Sequence, residues 1–342
     1  MAVRALWYRR GTLYLVDQRA LPARTEVLRL KRVREVADAI RTLAVRGAPS
    51  IGVAAAYGMV LAEREGSLGP EAAARLLRAT RPTAYDLFVG IETVRSAWAA
   101  GADVEAAADA YRSRVVEECH DIGVAGAPLL ARTRRVLTHC NAGALATVEW
   151  GTALAPIRVA RQRGARIFVW VDETRPLLQG SRLTAWELAQ ERIPHAVIAD
   201  NAAGHYLATG RVDAVIVGAD RIARNGDFAN KIGTYEKAVV ARENGIPFYV
   251  AAPWTTFDAS RPDGHAIPVE ERAEDEVLEW AGRRVAPQAS HARNPAFDVT
   301  PAKFVTRFVT PAGVVPPRGV APALARLARE GKRKGFEPPA AP

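Results

Sequence analysis

The sequence predicts an α/β chain in which a mostly helical N-terminal part precedes a domain built on a largely parallel sheet. Three observations carry this. Val33, Val36, Ala37, Ile40 and Ala44 recur at helical spacing, and further helix-like segments fill the first ~130 residues. Beyond them, apolar β-rich runs return: RVLTHC (135–140), RIFVWVD (166–172), HAVIAD (195–200), AVIVGAD (214–220) and PFYVAAP (247–253). Most of the gaps hold helix-like stretches such as TAWELAQE (184–191) and YEKAVVARENG (235–245). Buried apolar strands alternating with helices make a parallel sheet covered on both faces.

Taken in order, residues 1–30 read as short strands and turns (TLYLVDQ, TEVLRL). The first amphipathic helix starts at 33. Pro49 suits the first turn of a second helix through AAAYGMVLAERE, where its missing N–H costs nothing. Helical stretches follow at 70–79, 84–99 and 103–119, the last capped by Asp103. No internal repeat is visible. The chain therefore divides into a small-strand and helical N-terminal domain (1–130), a Rossmann-like domain (131–318) and a basic, Pro-rich C-terminal tail (319–342). The last stretch, AREGKRKGFEPPAAP, is expected to be disordered.

Composition excludes several classes. Of the 342 residues 49% are hydrophobic and 25% charged, ordinary for a soluble globular protein. The N-terminal apolar stretches are broken by Arg9, Arg10 and Asp17, which leaves no signal-peptide core. The longest nearly apolar run, IGVAAAYGMVLA (51–62), is too short to span a bilayer, so no membrane association is expected. Two cysteines point to free thiols in a reducing cytoplasm. The net charge of +10 comes mostly from arginines scattered among glutamates without aromatic interleaving. That pattern is a solvated helix surface, not a nucleic-acid footprint.

Ligands of open α/β sheets sit beyond the carboxyl ends of the strands. Here those ends carry Cys140, Asp172 to Arg175, Asp200 and Asn201, Asp220 and Arg221, and Ala252 and Pro253. Cys140 precedes a helix-forming run from Gly143, and a helix N-terminus favours thiolate. Taken alone, a structural thiol is the commoner reading. His139, its neighbour, points to the opposite face of the strand. The dipeptides Cys119-His120 and His139-Cys140 lack the spaced-pair geometry of zinc ligands, so no metal is expected. Asp220 ends a very apolar strand, where ionisation is disfavoured and a protonated carboxyl can donate. By itself it is more often a turn cap. The Gly- and Asn-rich loop after it enters a helix near Ile232, with Asn230 and Lys231 at its mouth, suited to an anion. Arg46-Gly47-Ala48-Pro49 has the same logic, and Arg81-Pro82-Thr83-Ala84 repeats it. No GxGxxG follows a strand and no GxxxxGK[ST] occurs. Physics alone thus points to an enzyme acting on a small phosphate ester, held between the two parts, and leaves the reaction open.

At these residues the chain resembles a known family. VRGAPSIG (45–52), THCNAGALAT (138–147), DETRPLLQGSRLTAWEL (172–188), GADRIARNGDFANKIGTYEKA (218–238) and NPAFDVTP (294–301) are similar to the S-methyl-5-thioribose-1-phosphate isomerases. Their superfamily also includes the alpha, beta and delta regulatory subunits of the eukaryotic translation-initiation exchange factor. The resemblance runs from about Asp17 to Pro317. It implies an aldose–ketose isomerisation of a phosphorylated sugar in methionine salvage, without cofactor or metal, by a homodimer. It also implies that Asp220 is the proton donor and Cys140 the second catalytic residue, either a base or a stabiliser of the transition state. Arg46, Gly47, Ala48, Arg81, Gln179, Asn230 and Lys231 would contact substrate. Asn201, Ala202 and Trp254 depart from the family pattern and are expected to border the pocket, where they bear on the 5-substituent. Competing readings are isomerisation of 5-deoxyribose 1-phosphate or ribose 1,5-bisphosphate, and a non-catalytic regulatory subunit. The regulatory relatives typically lack the Cys and Asp pair.

Overall fold

The computed structural model describes residues 3–81 and 85–333. The chain opens with an antiparallel sheet of β1 (Leu6–Arg9), β2 (Thr12–Val16) and β3 (Val27–Leu30), in that spatial order. Five helices follow: α1 (Val33–Arg41), α2 (Ala48–Glu65), α3 (Pro70–Arg78), α4 (Tyr85–Ala99) and α5 (Val104–Leu130). Asp103 caps α5 as its composition suggests, accepting from the Ala106 N–H at 3.0 Å. The helix runs eleven residues past the expected 119, because Ile122, Ala127 and Leu130 are buried against the sheet. α5 thus carries residues of two cores, with Val104, Ala108 and Tyr111 in the helical one.

Helix α2 is apolar nearly all round, and every residue from Ser50 to Ala62 is buried. Such a helix has to be central. It meets α4 at a glycine crossing: a Cβ on Gly90 would stand 2.2 Å from the Gly52 carbonyl oxygen, and one on Gly52 would stand 2.6 Å from the Asp86 carbonyl oxygen.

The second half alternates strand and helix: β4 (Arg135–Thr138), α6 (Ala144–Thr147), α7 (Leu154–Gln162), β5 (Phe168–Asp172), α8 (Ala185–Gln190), β6 (His195–Ile198), α9 (Ala202–Ala208) and β7 (Ala214–Val217). Then come β8 (Arg221–Ala223), β9 (Phe228–Lys231), α10 (Thr234–Glu243), β10 (Phe248–Ala251), β11 (Phe257–Asp258), α11 (Asp275–Leu278), β12 (Glu279–Trp280) and β13 (Arg283–Arg284). β14 (Phe297–Thr300), β15 (Arg307–Thr310), β16 (Gly313–Val315) and α12 (Val320–Arg333) complete the chain. The main sheet has the order β16-β15-β10-β7-β4-β5-β6. All its pairings are parallel except the edge pair β15–β16. The six parallel strands follow the doubly wound order, with the switch point between β4 and β7. Alternation sorts the strands onto two faces. Val136, Val169, Val171 and Ile216 pack toward α5 and α7, whereas Leu137, Val215, Val217 and Phe248 pack toward α9 and α10.

Two expectations need correction. Asn230 and Lys231 do not lie in a loop at a helix mouth. They sit on β9, paired antiparallel with Asp298 and Phe297 of β14 in a small separate sheet. The C-terminal segment is helical through Arg333, because Val320 and Leu324 pack on the sheet's second core. Residues 334–342 of the tail, and Pro82, Thr83 and Ala84 of the expected anion-binding turn after Arg81, lie outside the described residues.

Gly→Ala in an open helix gains about 1 kcal/mol from propensity, whereas overpacking costs about 1–3 kcal/mol. Among the described residues, nothing beyond its chain neighbours and its own helix backbone comes within 4 Å of a Cβ added to Gly204 of α9. Gly204→Ala is therefore expected to raise the urea midpoint, and Gly90→Ala to lower it. The same chemical change should carry opposite sign at the two sites.

Candidate active site

A cavity of about 180 Å³ opens at the carboxyl ends of β4 and β7. The helical part contributes Arg46, Gly47, Ala48 and Arg81 to its wall. The sheet side contributes Cys140, Gln179, Asp220, Asn230 and Lys231. The structure thus brings all nine sequence-predicted residues to one place, although they span 185 positions of the chain between Arg46 and Lys231. Ala202 and Trp254 go elsewhere. Both pack on the second sheet core, Trp254 with its ring 5.0 Å from that of Phe257. Asn201 stands just before α9 and is exposed.

Cys140 lies two residues past the end of β4 with φ +63°, a left-handed conformation that costs a non-glycine residue roughly 1–2 kcal/mol. Its N–H donates to Thr174 Oγ1 at 2.8 Å, and its carbonyl accepts from Thr184 Oγ1 at 2.7 Å. The expected help from a helix dipole is not available. α6 is a single turn starting four residues later, and the buried Glu187 carboxylate already accepts its first N–H groups, from Ala144 at 2.7 Å and Leu145 at 3.1 Å. Burial instead pushes the Cys140 thiol up, partly opposed by the Arg46 and Lys231 charges. These two cations do the work assigned to the helix.

Asp220 lies three residues past β7, its N–H donating to the Ala229 carbonyl at 2.9 Å. The carboxyl is open to the cavity, yet enclosure by the surrounding protein strips away bulk water and raises its pKa above the ordinary carboxylate range. Lys231, Arg81 and Arg46 pull the other way, in that order. Cys140 and Asp220 therefore follow the two strands that flank the switch point and share the same pair of cations.

Those cations are held in place. Arg46 donates to the Asn141 carbonyl at 3.2 and 3.3 Å and also to Asn141 Oδ1. Gly47 has φ +84°, and a Cβ there would fall 2.4 Å from Ala146 Cα, so only glycine lets the start of α2 approach α6 this closely. Lys231 Nζ donates to the Ala296 carbonyl at 3.0 Å and stands 4.8 Å from the Phe297 ring centre. The N-terminus of α10 is not open to an anion, because Asp298 accepts from the Gly233 and Tyr235 N–H groups. Asn230 Nδ2 donates to Thr234 Oγ1 at 2.9 Å. Gln179 is buried, and its Oε1 has no partner among the described residues.

Beneath Cys140 lies a network that sequence reading passed over. His139, fully buried, places Nδ1 2.9 Å from Asp172 Oδ2 and Nε2 2.8 Å from the Ile232 carbonyl. Asp200 completes a grouping with the spacing of metal ligands. Lys237 Nζ, however, stands 3.6 Å from the same Asp172 oxygen and already supplies positive charge there. Asp86 also lines the cavity, its carboxyl raised to about 6 by burial. Cys119 is fully buried with its thiol pushed up to about 12, as an inert core residue should be.

Residues 44–317 match the initiation factor 2 subunit family. The methylthioribose-1-phosphate isomerase of Roseiflexus castenholzii is 51% identical, over 92% of this chain and 95% of its own length. That of Anaeromyxobacter dehalogenans is 54% identical over 90% and 91%. Among solved structures, 5-methylthioribose 1-phosphate isomerase from Pyrococcus horikoshii superposes with a TM-score of 0.88 at 42% identity, covering 96% of both chains. A structure described as translation initiation factor eIF-2B, subunit delta, from A. fulgidus superposes at 0.87 and 44% identity, covering 95% of this chain and all of its own. With this coverage and identity, the chain belongs to the initiation factor 2 subunit family, in its methylthioribose-1-phosphate isomerase group.

Proposed function

We propose that this protein is an aldose–ketose isomerase that converts 5-methylthio-α-D-ribose 1-phosphate to 5-methylthio-D-ribulose 1-phosphate in methionine salvage, as a cytoplasmic homodimer. One observation carries the assignment of roles: Cys140 and Asp220 face one cavity from the two switch-point strands, with Arg46 and Lys231 beside both. The phosphate on C1 leaves no free aldehyde, so the ring must open at an acetal. Protonated Asp220 delivers its proton to the ring oxygen as the bond from that oxygen to C1 breaks. The hydrogen on C2 then moves to C1, and C2 becomes the ketone as its hydroxyl loses a proton. The transfer is either a hydride shift or a proton transfer through an enol with Cys140 as base. No outside oxidant enters, since C2 is oxidised by exactly the hydrogen that reduces C1. Arg46, Arg81, Lys231 and the N–H groups at the start of α2 hold the one phosphate, and Gln179 Oε1 accepts from a sugar hydroxyl.

The wall also bears on the competing substrates. A bisphosphate needs a second free clamp, but Arg221 is paired with Asp258 at 3.2 Å and Arg272 with Glu270 at 3.2 Å and with Glu276. Leu43, Leu177 and Phe297 offer an apolar surface to a methylthio group instead. Retention of both Cys140 and Asp220 argues for catalysis over a purely regulatory role.

Phosphorus NMR with the methylthio sugar, 5-deoxyribose 1-phosphate and ribose 1,5-bisphosphate tests the assignment. Fastest turnover of the first is expected, with Cys140→Ser and Asp220→Asn each slowed by about 10²–10⁴-fold. Equal or faster turnover of the bisphosphate would overturn the substrate assignment. Because Asp220 acts in its acid form, kcat/KM should fall as pH rises through its elevated pKa, and that limb should be absent from the Asp220→Asn residual activity. The same elevation makes the ionised carboxyl a cost to the fold. That cost is absent while both folded and unfolded states are protonated and complete above the folded pKa. Asp220→Asn should therefore raise the melting temperature at neutral pH, with the gain vanishing below about pH 4.

A further inference from the structure

Cys140 sits between two residues whose side chains are tied down by hydrogen bonds. His139 is bound to Asp172 and the Ile232 carbonyl, and Asn141 donates to Thr184 Oγ1 at 3.1 Å and Glu187 Oε1 at 2.8 Å. The cysteine's own peptide groups are gripped at both ends by threonines that are completely buried, Thr174 on the N–H and Thr184 on the carbonyl. Thr174 is itself at φ +65°, a conformation that a β-branched residue rarely adopts. It is kept there by its N–H to Asp200 Oδ1 at 2.7 Å and its hydroxyl to the Asp172 carbonyl at 3.1 Å. Two strained residues at the ends of neighbouring strands are thus bonded to each other. Relaxing Cys140 to negative φ would swing its Cβ off the cavity wall and leave the Thr174 and Thr184 hydroxyls without these partners.

We propose that Thr174 and Thr184 are positioning residues that hold Cys140 in its left-handed conformation and so aim its thiol at the substrate. They touch no reacting atom. Local strain held by surrounding hydrogen bonds is a recognised form of pre-organisation. The inference rests on the isomerase reading for its kinetic consequence only; the placement of the thiol is independent of what the enzyme turns over.

The test uses the full chain and two readouts: steady-state isomerisation of the methylthio sugar, and the rate of Cys140 alkylation by iodoacetamide, located by peptide mass spectrometry. Thr174→Val keeps the shape and removes the hydroxyl. It should lower kcat by about 10–100-fold, as a small misplacement does, while KM stays within about threefold. Alkylation of Cys140 should slow by at least about fivefold as the thiol turns from the cavity. Thr174→Ser should restore both. A folded Thr174→Val protein with unchanged kcat and alkylation overturns the proposal, as does a Thr174→Ser protein as impaired as Thr174→Val. If Thr174→Val does not fold, Thr184→Val applies the same test from the carbonyl end, and unchanged readouts there overturn it equally. Absence of turnover in the unaltered protein would sink the isomerase reading, and alkylation alone would then decide whether the threonines position the thiol.

Discussion

Between β4 and β7 the chain reverses the direction in which it winds across the sheet, and the site depends on the gap this leaves. On either side of a switch point, the connections leaving the two strands run to opposite faces, so nothing covers the strand ends themselves. Cys140 and Asp220 follow these two strands. The opening is completed by the start of α2, which enters because Gly47 permits contact with Ala146 at a distance no Cβ would allow. A crevice made by the sheet is thus closed into a cavity by a helix from the other half of the chain.

Enclosure has electrostatic consequences that the rest of the site manages. Burial raises both Cys140 and Asp220, and the same few cations hold each of them back. Arg46 can serve both because Asn141 fixes its guanidinium, and Asn141 is fixed in turn by Glu187. Glu187 is itself a completely buried carboxylate, made tolerable by the α6 N–H groups and by Arg158 at 2.7 Å. A buried ion pair of this kind contributes little net stability. Its value here is geometric, since each member has one arrangement that satisfies all its hydrogen bonds.

Much of this was legible in the residues. The helical spacing from Val33, the five apolar runs and the Asp103 cap all reappear in the structure within a few residues. So does the gathering of reactive side chains at one sheet edge. Gln179 became a candidate only through family resemblance, because nothing local distinguishes it within LLQGS; its unpartnered Oε1 is a property of the folded cavity. Lys231 lines the cavity, but from a strand where a loop is expected. FANK pairs as a strand only because β14, more than sixty residues on, supplies its partner. Ala202 and Trp254, which depart from the family pattern near strand ends, are expected at the pocket, yet they pack onto the second core.

The sequence by itself determined the order of helices and strands, the parallel sheet and the end of it at which the candidate residues gather. Those follow from periodicity and burial, which neighbouring residues carry among themselves. Only the tertiary structure decided the sign of φ at Cys140, the capture of the α6 N-terminus by Glu187 43 residues along, and the pairing of Thr174 with the cysteine's N–H across two strands. Each of these depends on hydrogen bonds between segments distant in the chain. Which partner a buried polar group finds is settled by packing, and no local pattern encodes it.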